Sequence, residues 1–93
     1  MEDKKWCVYM LECSDSTIYT GITNNLESRI KVHSSGKGAK YVKTRLPVRL
    51  LWSIESENRS EASKLEIKIK KLTRTQKLNI IENKKEASDL FNS

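Results

Sequence analysis

Residues 6–12, Trp-Cys-Val-Tyr-Met-Leu-Glu, are dense in β-formers and show no alternation between apolar and polar positions. That pattern predicts a strand buried on both faces. Ser14-Asp15-Ser16-Thr17 is turn material, and Ile18-Tyr19-Thr20-Gly21-Ile22 reads as a second strand, so the two form a hairpin. Asn24 or Asn25 offers an N-cap for a helix running to about His33. Ser34-Ser35-Gly36-Lys37-Gly38 ends that helix and opens a flexible, basic connection containing Tyr41. After Pro47, the residues Val48, Leu50, Trp52 and Ile54 share one face at period two, which predicts a third strand. A long helix is expected to start at Ser60 and run to about Leu72, with Ala62, Leu65, Ile69 and Leu72 as its apolar stripe. A further helix follows around residues 78–81, then a polar tail.

The expected fold class is therefore α+β, a small three-stranded antiparallel sheet flanked by helices in the order ββα-loop-βαα. The length of 93 residues suits one domain, 1–93, with its core over about 6–77 and a polar C-terminal helix and tail over 78–93. Hydrophobic residues at 37% and charged residues at 32% are ordinary for a soluble globular chain. No apolar run approaches the roughly 20 residues that span a bilayer, so no membrane association is expected. The start, Met-Glu-Asp-Lys-Lys, has no apolar segment behind it that would read as a secretory signal, and a cytoplasmic location is expected. Cys7 and Cys13, six positions apart on one extended segment, lie too far apart for a disulfide and lack zinc-site spacing, so both are expected as free thiols.

The net charge of +6 is unevenly spread. Residues 28–54 hold Arg29, Lys31, Lys37, Lys40, Lys43, Arg45 and Arg49 and no acid. Such a stretch is a surface for a polyanion, and on charge alone a solvated basic face is an equally good reading. Within the first helix, Arg29 and His33 lie one turn apart on the stripe that also carries Leu26 and Ile30. Cations are rare on a core-facing stripe without a purpose, although a snorkelling arginine and a helix-ending histidine would also account for them. Glu66 repeats the anomaly with opposite sign. It sits on the inner rim of the second apolar stripe, the only acid between Lys64 and Lys77, as a metal ligand or as an ion-pair partner for Arg29. Tyr9 and Tyr19 are both odd-numbered, and the turn can bring them to one sheet face as core residues or as site residues. Gly21 marks a close approach of another group to the strand.

Cys7-Val8-Tyr9, then Tyr19-Thr20-Gly21, then Ile22-Thr23-Asn24-Asn25-Leu26-Glu27-Ser28-Arg29, resembles the signature of the GIY-YIG nucleases. His33 four residues after Arg29, and Gly36-Lys37-Gly38-Ala39-Lys40-Tyr41 beyond, resemble the small stand-alone bacterial branch of that family. The resemblance runs from about Trp6 to Lys77. It implies a metal-dependent DNA nuclease in which Tyr9 and Tyr19 serve as general base or proton relay. Arg29 would stabilise the pentavalent phosphate, and His33 would accept a proton from tyrosine. Glu66 would bind one divalent cation, Mg2+ or Mn2+.

The chemistry suits those residue types. Phosphodiester hydrolysis needs a nucleophile activator and a charge clamp, and arginine offers phosphate a planar donor fork that lysine lacks. One carboxylate with waters and substrate phosphate is an adequate magnesium site. Nucleic-acid contacts are expected from Lys31, Lys37, Lys40, Lys43 and Arg45, joined by Lys68 and Lys71. The partner is nucleic acid, expected to be DNA, with room for a protein partner that directs it. Three positions depart from the family pattern: Cys7 stands for the first motif's glycine, Thr20 for the second motif's isoleucine, and Asp15-Ser16 for the usual Asp-Gly turn. A non-catalytic nucleic-acid-binding module on the same fold is the alternative, and so is a pure interaction domain. Glu66 among cations favours the nuclease over both.

Overall fold

β1 (Trp6–Glu12) runs down the middle of a three-stranded antiparallel sheet of order β2-β1-β3, between β2 (Ile18–Thr23) and β3 (Arg49–Ser56). The computed structural model describes residues 5–83. Expected helix and tail residues beyond 83 lie outside that span. A central strand is covered on both faces, which is why Cys7 to Leu11 are all buried without polar alternation. Val8 and Met10 face α3 (Arg59–Lys70) and α4 (Arg74–Asn83), and join Trp52, Ala62, Leu65, Ile69 and Ile80 in the hydrophobic core. Tyr9, on the opposite face, meets α1 (Leu26–Ser34) through His33. The α+β order expected from the pattern holds, with one addition: the connection after α1 contains a short helix, α2 (Lys40–Lys43). Both cysteines are buried and free. No helix among the described residues is long and apolar enough to cross a membrane.

Local chemistry explains each boundary. Asn25 rather than Asn24 caps α1, its Oδ1 accepting the Ser28 N–H at 3.2 Å. α1 ends where Gly36 takes φ +82° and the Gly36 and Lys37 N–H groups donate to His33 and Val32 carbonyls at 3.1 and 3.2 Å. This is a Schellman ending, and its left-handed residue needs glycine. α3 begins before the expected Ser60, because Asn58 Oδ1 accepts the Glu61 N–H at 2.9 Å; it ends at Lys70, leaving Leu72 outside the helix. α4 opens on a reciprocal capping box, Gln76 N–H to Thr73 Oγ1 at 3.2 Å and Thr73 N–H to Gln76 Oε1 at 2.9 Å. In the hairpin turn Ser16 holds φ +68°, and Asp15 supports it by accepting from the Thr17 N–H and hydroxyl.

β3 departs from the expected period-two face. Met10 pairs with Trp52 but Leu11 pairs with Leu50, so Leu51 is an extra residue in a bulge. The bulge resets the alternation. Leu51 packs with Trp52 and Ile54 against the core, while Leu50 is 41% exposed.

Thr20 is buried on β2 and its Oγ1 has no hydrogen-bond partner. An unpaired buried hydroxyl costs roughly 1–3 kcal/mol. Thr20→Val keeps the β-branched shape and is expected to stabilise the fold by about 1 kcal/mol, a rise of several degrees in Tm. A calorimetric scan showing no rise, or a fall, would mean that the hydroxyl is satisfied in solution.

Candidate active site

Across the β1–β2 ladder Tyr9 stands opposite Gly21, and Tyr19 opposite Leu11. Residues 9 and 11 share a face, so 19 and 21 share it too, and the tyrosines become diagonal neighbours with ring centroids 6.4 Å apart. The Tyr9 ring lies directly over Gly21, where any Cβ would sit 2.5 Å from the tyrosine oxygen. Gly21 therefore marks the close approach that a bare position in a strand implies, and what approaches is Tyr9.

α1 delivers His33 onto these rings. His33 is the buried residue of the helix, while Leu26, Arg29 and Ile30 are only half-buried. The stripe read as core-facing thus centres on the histidine. His33 Nε2 lies 3.0 Å from the Tyr9 hydroxyl, and its ring meets the Tyr19 ring edge-on at 5.4 Å. The Schellman ending turns the chain back so that Gly38 covers the other side of the imidazole, and a Cβ at Gly38 would collide with Nδ1. Nδ1 is buried without a partner.

Burial dominates the electrostatics. It raises the Tyr9 phenol above its ordinary value of 10.0, against a hydrogen bond from the Arg29 guanidinium that pulls it down. Burial, with Arg29 nearby, likewise depresses His33 below 6.5. Both groups are neutral at pH 7. The structure thus brings Tyr9, Tyr19, Arg29 and His33 together, and Glu66 is close enough for its charge to act on Tyr9.

Glu66 does not pair with Arg29, one of the two readings open from sequence. Its Oε2 is 3.4 Å from Lys70 Nζ, one turn along α3, and its side chain is largely buried. Among the described residues no three His, Cys, Asp or Glu side chains gather into a closed cation cage. A lone carboxylate beside Lys70 suits a hard cation that keeps most of its water and does not suit a zinc site.

The expected nucleic-acid contacts are scattered. Lys37, Lys40, Lys43 and Lys71 are exposed, Lys68 is half-buried, and Lys31 pairs with Glu27 at 3.6 Å. Arg49 pairs with Glu12 across the β1–β3 ladder. Arg45 is held by Asp15 at 3.0 Å and lies 3.9 Å above the Tyr41 ring, which itself stacks on Tyr19 at 6.1 Å. Sequence reasoning missed two cations that share a cleft with Tyr19 and Tyr41. Lys70 and Lys77 line a cleft of about 280 Å³ with Ile18, Tyr19, Thr20 and Tyr41, at the outer edge of β2. The signal for Lys70 was its place one turn after Glu66; Lys77 offered none.

The family model of the GIY-YIG catalytic domain matches residues 5–79. This chain belongs to the GIY-YIG family. It is 51% identical over 80 residues to the UPF0213 protein YsiG of Lactococcus lactis, covering 85% of this chain and 77% of that one. It is 54% identical over 77 residues to the UPF0213 protein CPE1444 of Clostridium perfringens, covering 83% of each. The solution structure of the E. faecalis protein EF2693 is similar at a TM-score of 0.60 and 44% identity, covering 89% of this chain and 90% of that one. That of the UPF0213 protein BH0048 of Bacillus halodurans is similar at 0.57 and 41%, covering 86% and 85%. A nuclease-type function on nucleic acid goes with the GIY-YIG domain, and its enzymes generally use a divalent cation.

The two bare positions should not tolerate a methyl group. Gly21→Ala and Gly38→Ala are each expected to lose about 1–3 kcal/mol of stability through overpacking, and to part the Tyr9 hydroxyl from His33. His33 is the only histidine in the chain, so a single imidazole NMR resonance reports the result. It should titrate below 6.5 in the parent and closer to 6.5 in the variants. Unchanged Tm and titration would show that the site has slack at both positions.

Proposed function

We propose that this protein is a metal-dependent DNA nuclease that hydrolyses phosphodiester bonds, with Tyr9, Tyr19, Arg29, His33 and Glu66 as its catalytic set. The observation that carries the reading is the buried Tyr9 hydroxyl 3.0 Å from His33 Nε2, with Arg29 beside it. In this reading Arg29 clamps the scissile phosphate through its guanidinium fork and steadies the charge that builds on the equatorial oxygens. The Tyr9 oxygen takes the proton of the attacking water while its own proton passes to His33 Nε2. Tyr19, edge-on to the imidazole, holds that ring in place and shares the proton path. Glu66, released from Lys70, would hold the divalent cation, which when bound supplies Lewis-acid help to the phosphoryl and leaving oxygens.

The direction of the Tyr9 shift favours the relay over a standing phenolate, because burial raises the phenol despite Arg29. Among the described residues no carboxylate backs His33 Nδ1, so the imidazole is a weak base that holds the proton only transiently.

The direct test is cleavage of labelled single-stranded, duplex, flap and junction DNAs with Mg2+, Mn2+ or chelator. Metal-dependent cutting is expected from the parent. Tyr9→Phe should lose about 10²–10⁴-fold in turnover, and Glu66→Gln should abolish cutting with the fold intact. A fully active Tyr9→Phe protein would sink the mechanism. Absence of cutting on every substrate would favour a non-catalytic nucleic-acid-binding module.

The pH profile separates the two proton routes. His33 accepts a proton only when neutral, and its pKa lies below 6.5, so activity should climb on the acid side of 6.5 and stay flat from 7 to 9. Activity still rising tenfold per unit above pH 8 would instead mark a phenolate base.

A further inference from the structure

The cleft beside Tyr19 differs from the rest of the basic surface. Tyr19, Tyr41 and Ile18 line it together with Lys70 and Lys77, and among the described residues no carboxylate lines it. Thr20 closes its floor, but its side chain is buried on the Met10 side of the sheet, away from the tyrosines. Tyr41 is held in position by the Arg45 guanidinium above its ring and by the stack on Tyr19, so this wall is built before any ligand arrives. A smaller recess of about 140 Å³ continues past Ile18 and Lys77 to Thr17 and Arg74.

We infer that this cleft is a nucleotide subsite that receives one unstacked base of a single DNA strand next to the phosphate held by Arg29. Flat apolar walls with two lysines beside them match a base and its phosphate. A base within a duplex is stacked and paired, and it cannot leave the helix to enter such a recess without unstacking energy. Duplex DNA meets only the lysines, through its backbone. The volume of about 280 Å³ falls at the small end of ligand pockets, roughly 300–1,000 Å³, which suits one nucleotide. Because Tyr19 belongs both to this wall and to the Tyr9–His33 cluster, a seated base sets the strand's register against the reacting phosphate. The inference rests on the nuclease reading for its meaning, but binding can be measured apart from cutting.

The experiment is fluorescence anisotropy in chelator, where no cleavage occurs, with a labelled 12-nucleotide strand and the same strand in a duplex. The parent should bind the single strand about tenfold better than the duplex. Tyr41→Leu should lose about tenfold for the single strand, the scale of one base–aromatic stack, and less than twofold for the duplex. Tyr41→Phe, which keeps the ring, should bind the single strand like the parent, so a loss confined to Tyr41→Leu traces to the missing ring and not to damage to the fold. Lys77→Gln should weaken both substrates and lower the salt slope by about one. Equal loss on both substrates in Tyr41→Leu, or no loss on the single strand, would overturn the subsite. Strand binding that needs Tyr41 in a protein that never cuts DNA would instead overturn the nuclease reading and leave the subsite standing.

Discussion

The contact between the Tyr9 hydroxyl and His33 Nε2 depends on two places in the chain where no side chain stands. Gly21 lets the phenol lie flat across a neighbouring strand, and Gly38 lets the returning loop close over the imidazole. A hydrogen bond between two neutral groups contributes about 1 kcal/mol net, too little to hold a misfit together. The backbone must therefore impose the geometry. It does so through the hairpin register, the Asn25 cap that sets the phase of α1, and the Schellman ending that aims residues 37–39 back at the ring.

The sheet separates two tasks. One face of β1 sends Val8 and Met10 into the main core against α3, and the other sends Tyr9 toward α1. Residues that hold the fold together and residues that meet in the polar cluster thus lie on opposite sides of one strand. Lys70 escapes this division because α3 packs close to the edge strand β2, where its last turn reaches the same cleft as Tyr19 and Tyr41, with Glu66 paired to it from one turn before.

The order of elements was legible because each carries its own local signal: the doubly apolar run of β1, the turn at Asp15-Ser16, the stripe of α3. The clustering of Tyr9, Tyr19, Arg29 and His33 was legible from parity on two strands and one helical turn, aided by the family resemblance. What escaped depended on contacts remote in sequence. Leu51 bulges because of where Leu11 lies on another strand, which no periodicity within β3 announces. Arg45 reads as a free phosphate contact until the fold brings Asp15, thirty residues away, against it. Lys77 gains its place from the packing of α4, whose Thr73–Gln76 capping box emerges only in the structure. α3 is capped by Asn58 and not by the expected Ser60, a choice among good caps that propensity alone decides poorly.

The link between Asp15 and Arg45 has a consequence for how this molecule responds to its medium. It joins the hairpin tip to α2 and steadies the Tyr41 ring, assisted by one backbone bond from Ser14 N–H to the Arg45 carbonyl. Both side chains are partly in water, where such an ion pair contributes little and weakens as counterions screen it. The tyrosine wall is thus fastened by a latch that added electrolyte loosens, while the apolar core on the far face of the sheet is indifferent to it. Ionic strength consequently acts twice on any bound polyanion, once by screening the lysines and once by freeing an aromatic ring, so a dissociation curve against salt counts more than phosphates.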